Sequence, residues 1–450
     1  MPEMIVIGAG VSGLSTAVTL RADGWSVRVL EAGDSPGGNV RSERAEGRVL
    51  DRAANGWLDN EPAMDRLLTR LNLHPRVIRA SDRYKTRWIW AMGERHEAPL
   101  SPPALLRTRL LSWPAKLRLL LEPLLPRRVS AEDESLADFV RRRLGAGLLD
   151  RMIAPMVTGI FAADPERLSL AAAFPRMAEL EREHRSLFLA MLRLRRGGAP
   201  AGHLVTFDGG AGSLPEALAA SLGDAVSLGT PALALARVGD RWCVRTARGE
   251  VTADAVALAC PGFVQAELLR PLDPAAAAAL ANIPYAPVAV VVTASPRGAW
   301  GWEPEGFGVL KARGEDLGGA LGAVFTSCVF PDQAQGDEHL IRTILGGAIH
   351  PEAALGDDQV LIGRARAALA KLCDGERHPP HLTRVFRHPR GIPQYLPGHP
   401  QRVLEARGAE SRLPGLFLTG NHLDGVGVKD GARGAEQLTA RARGMLKPVR

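Results

Sequence analysis

The first thirteen residues constrain the fold of this chain more than any other segment. An apolar run at residues 4–7 leads directly into Gly8-Ala9-Gly10-Val11-Ser12-Gly13, a GxGxxG pattern, and residues 14–21 continue with helical spacing. Strand, glycine turn and helix in this order predict the first βα unit of a parallel sheet. The first glycine permits the tight turn, the second lets a phosphate approach the backbone, and the third packs helix on strand. We therefore predict a dinucleotide-binding domain.

A second strand ends on an acid at the position where a dinucleotide ribose is recognised. Residues 26–30 form another apolar run, and Glu31 follows it. A carboxylate here accepts both ribose hydroxyls, which favours an unphosphorylated ribose over that of NADP. The helix N-terminus between the two strands offers free N–H groups to the pyrophosphate. Because all parts occur in order, a chance glycine-rich turn is the weaker alternative.

The segment after Glu31 favours FAD over NAD. It reads EAGDSPGGNVRS (31–42), with the glycine pair Gly37-Gly38 followed by Arg41. This spacing resembles the extension of flavoprotein oxidases in which the loop wraps the flavin end of FAD. An ordinary Gly-Gly turn is the alternative for the pair taken by itself.

The composition excludes several classes of protein. With 46% hydrophobic residues the chain can bury a sizeable core, which excludes disorder. The net charge of +7 comes from 50 Arg against 6 Lys and accompanies no base-reading motif, so a nucleic-acid-binding protein has charge alone in its favour. The four cysteines form no CxxC pattern, and we expect buried thiols rather than disulfides or a metal site.

Neither a secretory signal nor a membrane-spanning helix is expected. A signal peptide carries basic residues before its apolar run, and the start MPEMIVIGAG has none there. No stretch reaches the roughly 18 uncharged apolar residues of a spanning helix. We expect a cytoplasmic protein that is soluble or lies on the cytoplasmic face of the inner membrane.

Several further segments resemble oxygen-dependent protoporphyrinogen oxidases, within the flavin amine oxidase superfamily. The resemblance covers nearly the whole chain. Its most specific segments are GIFAADPERLS (159–169), GFGVL (306–310), GIPQYLPGH (391–399) and GLFLTGNHLDGVGV (415–428). The last of these also predicts a strand at 416–419 and a helix beginning near Asp430, whose N-terminus would point at the cofactor.

The resemblance implies an α/β fold with a discontinuous cofactor domain. A Rossmann-like FAD-binding domain of the glutathione-reductase and amine oxidase type would carry an inserted α+β substrate-binding domain and a helical membrane-associating domain. The expected boundaries are 1–80, 205–265 and 385–450 for the FAD-binding domain, 81–97 and 266–384 for the substrate-binding domain, and 98–204 for the helical domain.

The resemblance also implies which residues contact FAD. They belong to the glycine loop, the ribose acid, the second glycine motif, a loop lining the flavin, a backbone contact to the adenine, and the C-terminal turn. In chain order they are Gly8, Ala9, Gly10, Val11, Ser12, Gly13, Glu31, Ala32, Gly38, Asn39, Ala53, Ala54, Asn55, Gly56, Ala232, Asn421, Val426, Gly427 and Val428.

The implied reaction is the oxidation of a porphyrinogen in haem biosynthesis, with protoporphyrinogen IX ahead of coproporphyrinogen III. Three two-electron hydride transfers go to flavin N5, and O₂ is reduced to H₂O₂. No catalytic side chain or metal is required, because the protein supplies an apolar slot, a cationic anchor and correct placement. Arg87 aligns with an arginine that binds a propionate, Leu310 and Ile344 with residues that sandwich the macrocycle, and Ala163 with a residue beside it. Membrane surface and homodimer are the further partners that the family implies.

Four departures from the family pattern leave alternatives open. The loop that begins at Asp51 replaces the usual Glu and Gly-Pro sequence, and Ala163 replaces a glycine. Lys429 stands where an Asn is common, and Lys311 directly follows GFGVL. Amine oxidases often hold a lysine near flavin N5, so a flavin amine or secondary-metabolite oxidase remains an alternative. A non-catalytic FAD- or haem-binding protein is the alternative outside the enzymes.

A leucine-rich basic segment spans Leu105–Arg128. It carries six cations and one acid, with leucines and Trp113 between them. A helix of this composition can lie in a membrane interface with its apolar side buried in lipid. An amphipathic core helix with a basic outer face is the equal alternative.

Overall fold

The computed structural model describes residues 1–126, 128, 132–184, 186, 187, 190 and 202–445. The chain forms two compact units. Unit 1 comprises Met1–Arg79, Gly202–Pro284 and Pro400–Arg450, and unit 2 comprises Ala80–Ala201 and Tyr285–His399. Parts of the expected 98–204 and 385–450 domains, and Arg127 of the basic segment, lie outside the described residues.

The secondary structure is as follows. The strands are β1 Glu3–Ile7, β2 Ser26–Leu30, β3 Ser42–Ala45, β4 Arg48–Asp51, β5 Trp57–Leu58, β6 Val77–Arg79, β7 Trp88–Ala91, β8 Glu94–Glu97, β9 Leu204–Phe207, β10 Val226–Ser227, β11 Ala232–Val238, β12 Arg241–Thr246, β13 Gly249–Ala253, β14 Ala255–Leu258, β15 Tyr285–Pro296, β16 Gly308–Lys311, β17 Ala320–Phe325, β18 Glu338–Gly346, β19 Leu382–Pro393 and β20 Leu416–Leu418. The α-helices of the described residues are α1 Val11–Ala22, α2 Pro62–Arg70, α3 Pro102–Arg107, α4 Trp113–Leu120, α5 Leu136–Arg143, α6 Ala146–Leu148, α7 Ala154–Phe161, α8 Leu170–Ala173, α9 Pro175–His184, α10 Ser213–Leu222, α11 Gly262–Leu269, α12 Pro274–Ala281, α13 Thr326–Val329, α14 Asp358–Leu372, α15 His399–Arg412 and α16 Val428–Ala442.

Unit 1 is built on a five-stranded parallel sheet in the order β10-β2-β1-β14-β20. The predicted β1-α1-β2 unit is confirmed, with β2 ending directly before Glu31. Eight residues of helix α1 are buried. Leu14 of α1, Leu214 of α10 and Leu438 of α16 belong to one apolar core. Parallel strands covered by helices account for the continuous apolar runs at β1 and β14.

Unit 1 also holds three smaller sheets. They contain β11-β12-β13, β5-β9-β6 and β3-β4. The apolar segment 251–259 belongs to two strands with different partners. Strand β13 pairs antiparallel with β12, whereas β14 pairs parallel with β1, so the chain changes sheets at Asp254.

Unit 2 is built on a seven-stranded sheet in the order β19-β15-β18-β17-β16-β7-β8. Strands β7 and β8 form a hairpin whose turn residues, Met92 and Gly93, both have positive φ. One sheet face packs on α14 through a core that includes Val291, Ile341 and Leu369. The side chains of the opposite face belong to the candidate site described below.

The units divide the chain at other points than expected. Residues 266–284, expected in the substrate-binding domain, belong to unit 1, because α12 packs on α11 and α11 on β11. Residues 385–399, expected in the FAD-binding domain, belong to unit 2, because β19 pairs with β15 over most of its length.

Between residues 101 and 184, the described helices of unit 2 are short. The basic segment, expected as one helix, contains α3, α4 and a 3₁₀ turn at Glu122–Leu124, because Pro114 and Pro123 each begin a new helical turn. Across the described ranges, no helix combines the length and the hydropathy needed to cross a membrane.

Candidate functional site: a dinucleotide cradle and an apolar sheet face

The glycine loop between β1 and α1 has the backbone that its sequence requires. Gly8 has φ +108°, a conformation that side chains other than glycine rarely adopt. A Cβ at Gly13 would lie 1.9 Å from the carbonyl oxygen of Gly8, so only glycine lets α1 approach this closely. A Cβ at Gly10 would have no atom within 4 Å, which leaves open space over the helix N-terminus. That space suits a phosphate bound by the free N–H groups of α1.

Glu31 ties the end of β2 to the glycine loop. Its carboxylate accepts the N–H of Ala9 at 2.6 Å and the N–H of Gly33 at 2.8 Å. The backbone carbonyl of Glu31 accepts the N–H of Thr230, which brings the segment leading to Ala232 alongside. The predicted ribose acid, Ala32 and the predicted adenine contact therefore lie together at one end of the cradle.

The second glycine motif packs directly on the first. The N–H of Gly37 donates to the carbonyl of Ala9 at 2.8 Å. A Cβ at Gly38 would be 3.5 Å from the Cα of Gly10, and Gly38 itself has φ +58°. Asn39 follows at once in the chain. The extension that predicted FAD thus closes over the same glycine loop.

The C-terminal helix brings a second helix N-terminus to the cradle. Helix α16 begins at Val428, two residues before the expected Asp430, whose carboxylate accepts the N–H of Gly427 at 2.8 Å. A Cβ at Gly431 would be 3.1 Å from Cγ1 of Val11, so α16 packs on the first turn of α1. Two helix N-termini at one place favour a bound anion. Asn421 and Val426 lie in the turn before α16.

Asp51 anchors the loop expected to line the flavin through hydrogen bonds to its carboxylate. This carboxyl group is 1% exposed and accepts the hydroxyl of Ser42 at 2.6 Å and the N–H of Ala211 at 2.9 Å. Ala53 and Ala54 lead from it to Asn55 and to Gly56, where a Cβ would be 2.3 Å from the carbonyl oxygen of Val205. The shorter acid therefore still anchors the loop to the start of α10.

In unit 2, the predicted apolar contacts share one row of the seven-stranded sheet. Leu310 on β16 pairs with Gly322 on β17, and Gly322 pairs with Ile344 on β18. Residues directly opposite one another point to the same face, and the glycine leaves the space between the two side chains open. We call this side of the sheet the Leu310 face. Leu310 and Ile344 are both half-buried.

Helix α7 borders the Leu310 face. A Cβ at Gly159 would lie 3.0 Å from Cδ2 of Leu310, so the helix and the strand are in contact. The helix ends at Ala162, which has φ +48° and whose carbonyl accepts the N–H of Ala348. Ala163 is 2% exposed, and its methyl group is buried against protein.

Arg87 lies at the start of β7. Its side chain is exposed, and its guanidinium carbon is 5.2 Å from the centre of the Phe307 ring. Its backbone carbonyl accepts the N–H of Ala98, so residue 87 extends the β7-β8 ladder. Among the residues that the structure describes, no carboxylate forms an ion pair with Arg87, and its charge is available to a ligand.

A family model for flavin containing amine oxidoreductases matches residues 11–440. The chain belongs to this family. Its cofactor is FAD, and unit 1 has the FAD-binding α/β fold of these oxidoreductases.

Relatives of known activity cover almost the whole chain. A coproporphyrinogen III oxidase from Propionibacterium freudenreichii subsp. freudenreichii is 31% identical, covering 95% of this chain and 88% of the relative. The chloroplastic protoporphyrinogen oxidase of Nicotiana tabacum is 29% identical, covering 99% of this chain and 86% of the relative. The expected relationship to porphyrinogen oxidases is confirmed.

Solved structures share the same fold. A protein from Exiguobacterium sp. 255-15, provisionally named a protoporphyrinogen oxidase, has a TM-score of 0.87 at 24% identity and covers 99% of both chains. Cyclohexylamine oxidase from Brevibacterium oxydans IH-35A has a TM-score of 0.71 at 18% identity, with 99% of both chains covered. The fold is thus shared by oxidases of different substrates.

The residues of unit 1 fit FAD. The side-chain amide nitrogen Nδ2 of Asn55 is buried and, within the described ranges, has no hydrogen-bond partner. A buried donor without a partner is costly, and a carbonyl of a ligand would satisfy it. The open space over Gly10 and the two helix N-termini suit the pyrophosphate, and the Glu31 carboxylate lies at the ribose end. These residues would hold the cofactor.

Two residues beside the cradle are unsuited to acid–base or nucleophilic work. Burial raises the pKa of the Cys260 thiol to about 12, so it stays protonated at neutral pH. The ring of His422 is fully buried, and Cβ atoms at Gly262 and Gly420 would each be 2.8 Å from it. This imidazole is enclosed by glycine backbone.

Lys311 is the residue that left a flavin amine oxidase as an alternative function, and it lies on the other side of the sheet. Consecutive strand residues point to opposite faces, so Lys311 faces away from Leu310. Its ammonium group donates to the carbonyl of Glu315 at 3.0 Å, and burial lowers the pKa of Lys311. Lys429 is half-buried and donates to the side chain of Asn60 at 2.6 Å. Neither lysine belongs to the Leu310 face.

Sequence reasoning missed three residues of the Leu310 face. Gly322 separates Leu310 from Ile344, Val324 lies two residues further on β17, and Gly308 pairs with Val324. The segment LGAVF is apolar throughout, so its pattern does not show which residues face which side. Pairing GFGVL with LGAVF as a hairpin would have revealed the row.

Proposed function

We propose that this flavin oxidoreductase oxidises a porphyrinogen, with FAD bound by unit 1 and the substrate by the Leu310 face of unit 2. One observation supports it most directly: Leu310, Gly322 and Ile344 form an apolar row near Arg87, whose guanidinium forms no ion pair with the residues that the structure describes. An apolar macrocycle with ionised propionates needs this combination of surface and charge. Relatives named protoporphyrinogen and coproporphyrinogen III oxidase support the same substrate class.

The chemistry divides simply between cofactor and protein. When bound, FAD supplies a hydride acceptor that O₂ can reoxidise. The residues of this chain bind and orient: Arg87 pairs with a substrate carboxylate, and Leu310 and Ile344 contact the macrocycle. Positioning alone contributes a large part of the rate when the reacting C–H bond is weak. Oxidation of the porphyrinogen to the porphyrin takes three such two-electron steps.

A flavin amine oxidase is the second candidate, and its support is structural likeness to cyclohexylamine oxidase. The position of Lys311 on the opposite sheet face argues against it. Incubating FAD-loaded protein with a porphyrinogen in air, and separately with primary and secondary amines, tests the choice. We expect porphyrin fluorescence and H₂O₂ with the porphyrinogen and neither oxygen uptake nor H₂O₂ with amines. Turnover of amines alone would reject the porphyrinogen proposal.

We also propose that the protein binds a membrane surface through the basic segment. Leu110 and Leu111 are buried, but several of its other apolar side chains are exposed: Trp113 is 76% exposed, Leu124 72% and Leu120 61%. Exposed Arg107 and Arg109 neighbour them in the chain. A core helix would show the reverse pattern, so this support favours the membrane alternative over the core alternative. Anionic lipid offers both the apolar layer and the negative charge.

A further inference from the structure

The hairpin between β12 and β13 lies next to the end of the cradle where adenine is expected. Strand β12 pairs antiparallel with β11, and its last residue, Thr246, lies opposite Ala232. Ala232 is the residue expected to offer its backbone to the adenine. Arg248 follows Thr246 by two residues, in the turn that leads to β13. The register therefore places a cation beside a part of the cofactor that carries no charge.

The guanidinium of Arg248 lies against the turn between β10 and β11. A Cβ at Gly229 would be 3.5 Å from a guanidinium nitrogen of Arg248. The N–H of Gly229 donates to the carbonyl of Gly33 at 2.8 Å, and the N–H of Thr230 donates to the carbonyl of Glu31 at 2.7 Å. The turn that contacts Arg248 is therefore the one that is hydrogen-bonded to the predicted ribose acid.

Hydrogen bonds of Thr246 hold the backbone at Arg248. The hydroxyl of Thr246 accepts the N–H of Arg248 at 3.1 Å and donates to the carbonyl of Gly249 at 2.8 Å. Thr246 is 6% exposed, and Gly249 has φ +118°, a conformation that suits glycine. The tip of the hairpin is therefore a defined turn, and a ligand has to order only the side chain of Arg248.

The charge of Arg248 is available to a ligand. Its side chain is exposed, and no carboxylate of the described residues forms an ion pair with it. Glu250, the nearest acid in the chain, lies opposite Arg245 across the hairpin. The phosphates of FAD are expected at the N-terminus of α1, which leaves the neutral adenine for Arg248. A guanidinium is planar as well as charged, so it can stack on the face of a purine.

We infer that Arg248 stacks its guanidinium on the adenine of FAD and gives the site a preference for FAD over FMN. FMN shares the flavin and one phosphate with FAD but has no adenine, so it cannot use this contact. A cation over a π face stabilises a complex modestly when it is exposed and more strongly when the contact excludes water. The assignment is independent of the substrate of the enzyme, because FAD binding is measured without turnover.

Titration of the FAD-free protein with FAD, FMN and ADP tests the inference. Arg248→Ala should weaken FAD binding by about fivefold or more and change FMN binding by less than about twofold. ADP carries the adenine without the flavin, so its affinity should fall by the same factor as that of FAD. Arg248→Lys keeps the charge without the planar group and should recover only part of the lost affinity. Its recovery also decides the question if Arg248→Ala does not fold.

Arg245→Ala is the matched control. Arg245 is another exposed arginine of the same hairpin, and it lies opposite Glu250 rather than in the turn. Its loss should leave all three affinities unchanged. Unchanged FAD affinity in Arg248→Ala would overturn the inference, and so would full affinity in Arg248→Lys, which would show an effect of charge alone. Equal losses for FAD and FMN, with a lower melting temperature of the FAD-free variant, would assign Arg248 a purely structural role and also overturn it.

Discussion

Single glycines determine whether the cradle can hold FAD, and two of them do so in different ways. The Cβ of an alanine at Gly13 would collide with Gly8 backbone, whereas the Cβ at Gly10 would meet no protein atom. We predict that Gly10→Ala leaves the melting temperature of the FAD-free protein unchanged but weakens FAD binding by about tenfold or more, because the methyl group fills the phosphate space. Gly13→Ala should lower both the melting temperature of the FAD-free protein and the affinity for FAD.

Fluorescence titration with FAD and thermal unfolding of the FAD-free protein measure these two effects. Gly363→Ala is the control, because a Cβ there also meets no atom within 4 Å and the position lies in the middle of α14. It should raise helix stability slightly and leave FAD binding alone. Unchanged FAD affinity in Gly10→Ala would contradict the assignment of the cradle.

Arg87 is expected to act on substrate binding rather than on the chemical step. Its exposed guanidinium stacks near Phe307 and would pair with a propionate in both ground and transition states. We predict that Arg87→Ala raises KM for either porphyrinogen by about tenfold and lowers kcat by less. Steady-state kinetics checks this, with Arg270→Ala as control, because Arg270 is an exposed arginine directly after α11 in unit 1. An unchanged KM would remove the role of Arg87.

At the scale of elements, α4 and the turn after it present leucines to solvent. Leu117 is 58% exposed and Leu124 is 72% exposed. We predict that the double variant Leu117→Ser, Leu124→Ser floats less with anionic liposomes than the wild-type protein. Its thermal stability should be nearly unchanged, because these exposed side chains would contact lipid and bury little surface against the protein. Leu404→Ser, at a leucine that is 75% exposed on α15, is the matched control and should float as the wild-type protein does. No flotation of the wild-type protein would reject membrane binding.

Helices α5 and α9 are joined by buried ion pairs. Arg142 donates to both carboxylate oxygens of Glu181, at 2.7 Å and 2.9 Å, and Glu181 is 5% exposed. Burial is the largest single effect and acts to raise the pKa of Glu181. The hydrogen bonds and charge of Arg142, the N–H of Arg128 and the charge of Arg143 together outweigh it, so the folded pKa lies below the ordinary value. Because the pKa of Glu181 is lower in the folded than in the unfolded protein, its ionised form stabilises the fold at pH values above the unfolded pKa. This stabilisation is lost as the pH falls through the folded pKa.

Glu181→Gln should therefore be less stable than the wild-type protein at neutral pH and lose less stability on acidification. Melting temperatures from pH 7 to pH 3 measure both effects. Glu183→Gln, an exposed neighbour on α9, is the control and should follow the wild-type curve. A variant curve parallel to that of the wild-type protein would show that this pair does not contribute to acid sensitivity.

For the molecule as a whole, local patterns predicted the cofactor unit well. Gly8, Gly13 and Glu31 each do locally what the βαβ pattern requires, and β1, α1 and β2 follow within a few residues. The sequence did not predict where the units divide, because the pairing of β19 with β15 joins segments about a hundred residues apart. The division of the basic segment into short helices follows from Pro114 and Pro123, which its leucine pattern obscured.

The Leu310 face was predictable only by resemblance. The row of Leu310, Gly322 and Ile344 takes one residue from each of β16, β17 and β18, and it exists only once the register between these strands is known. Register is a property of the whole sheet, set by turns and by the packing of α14 on the opposite face.

Anaerobic reduction of the FAD-loaded protein tests the central claim most directly, because it reports substrate oxidation without the later reaction with O₂. We predict that coproporphyrinogen III or protoporphyrinogen IX rapidly removes the absorbance of oxidised flavin, with up to three flavins reduced per porphyrinogen and porphyrin formed in proportion. Primary and secondary amines should leave the absorbance unchanged. Bleaching by amines alone, or by no compound of either class, would contradict the account of this protein as a porphyrinogen oxidase.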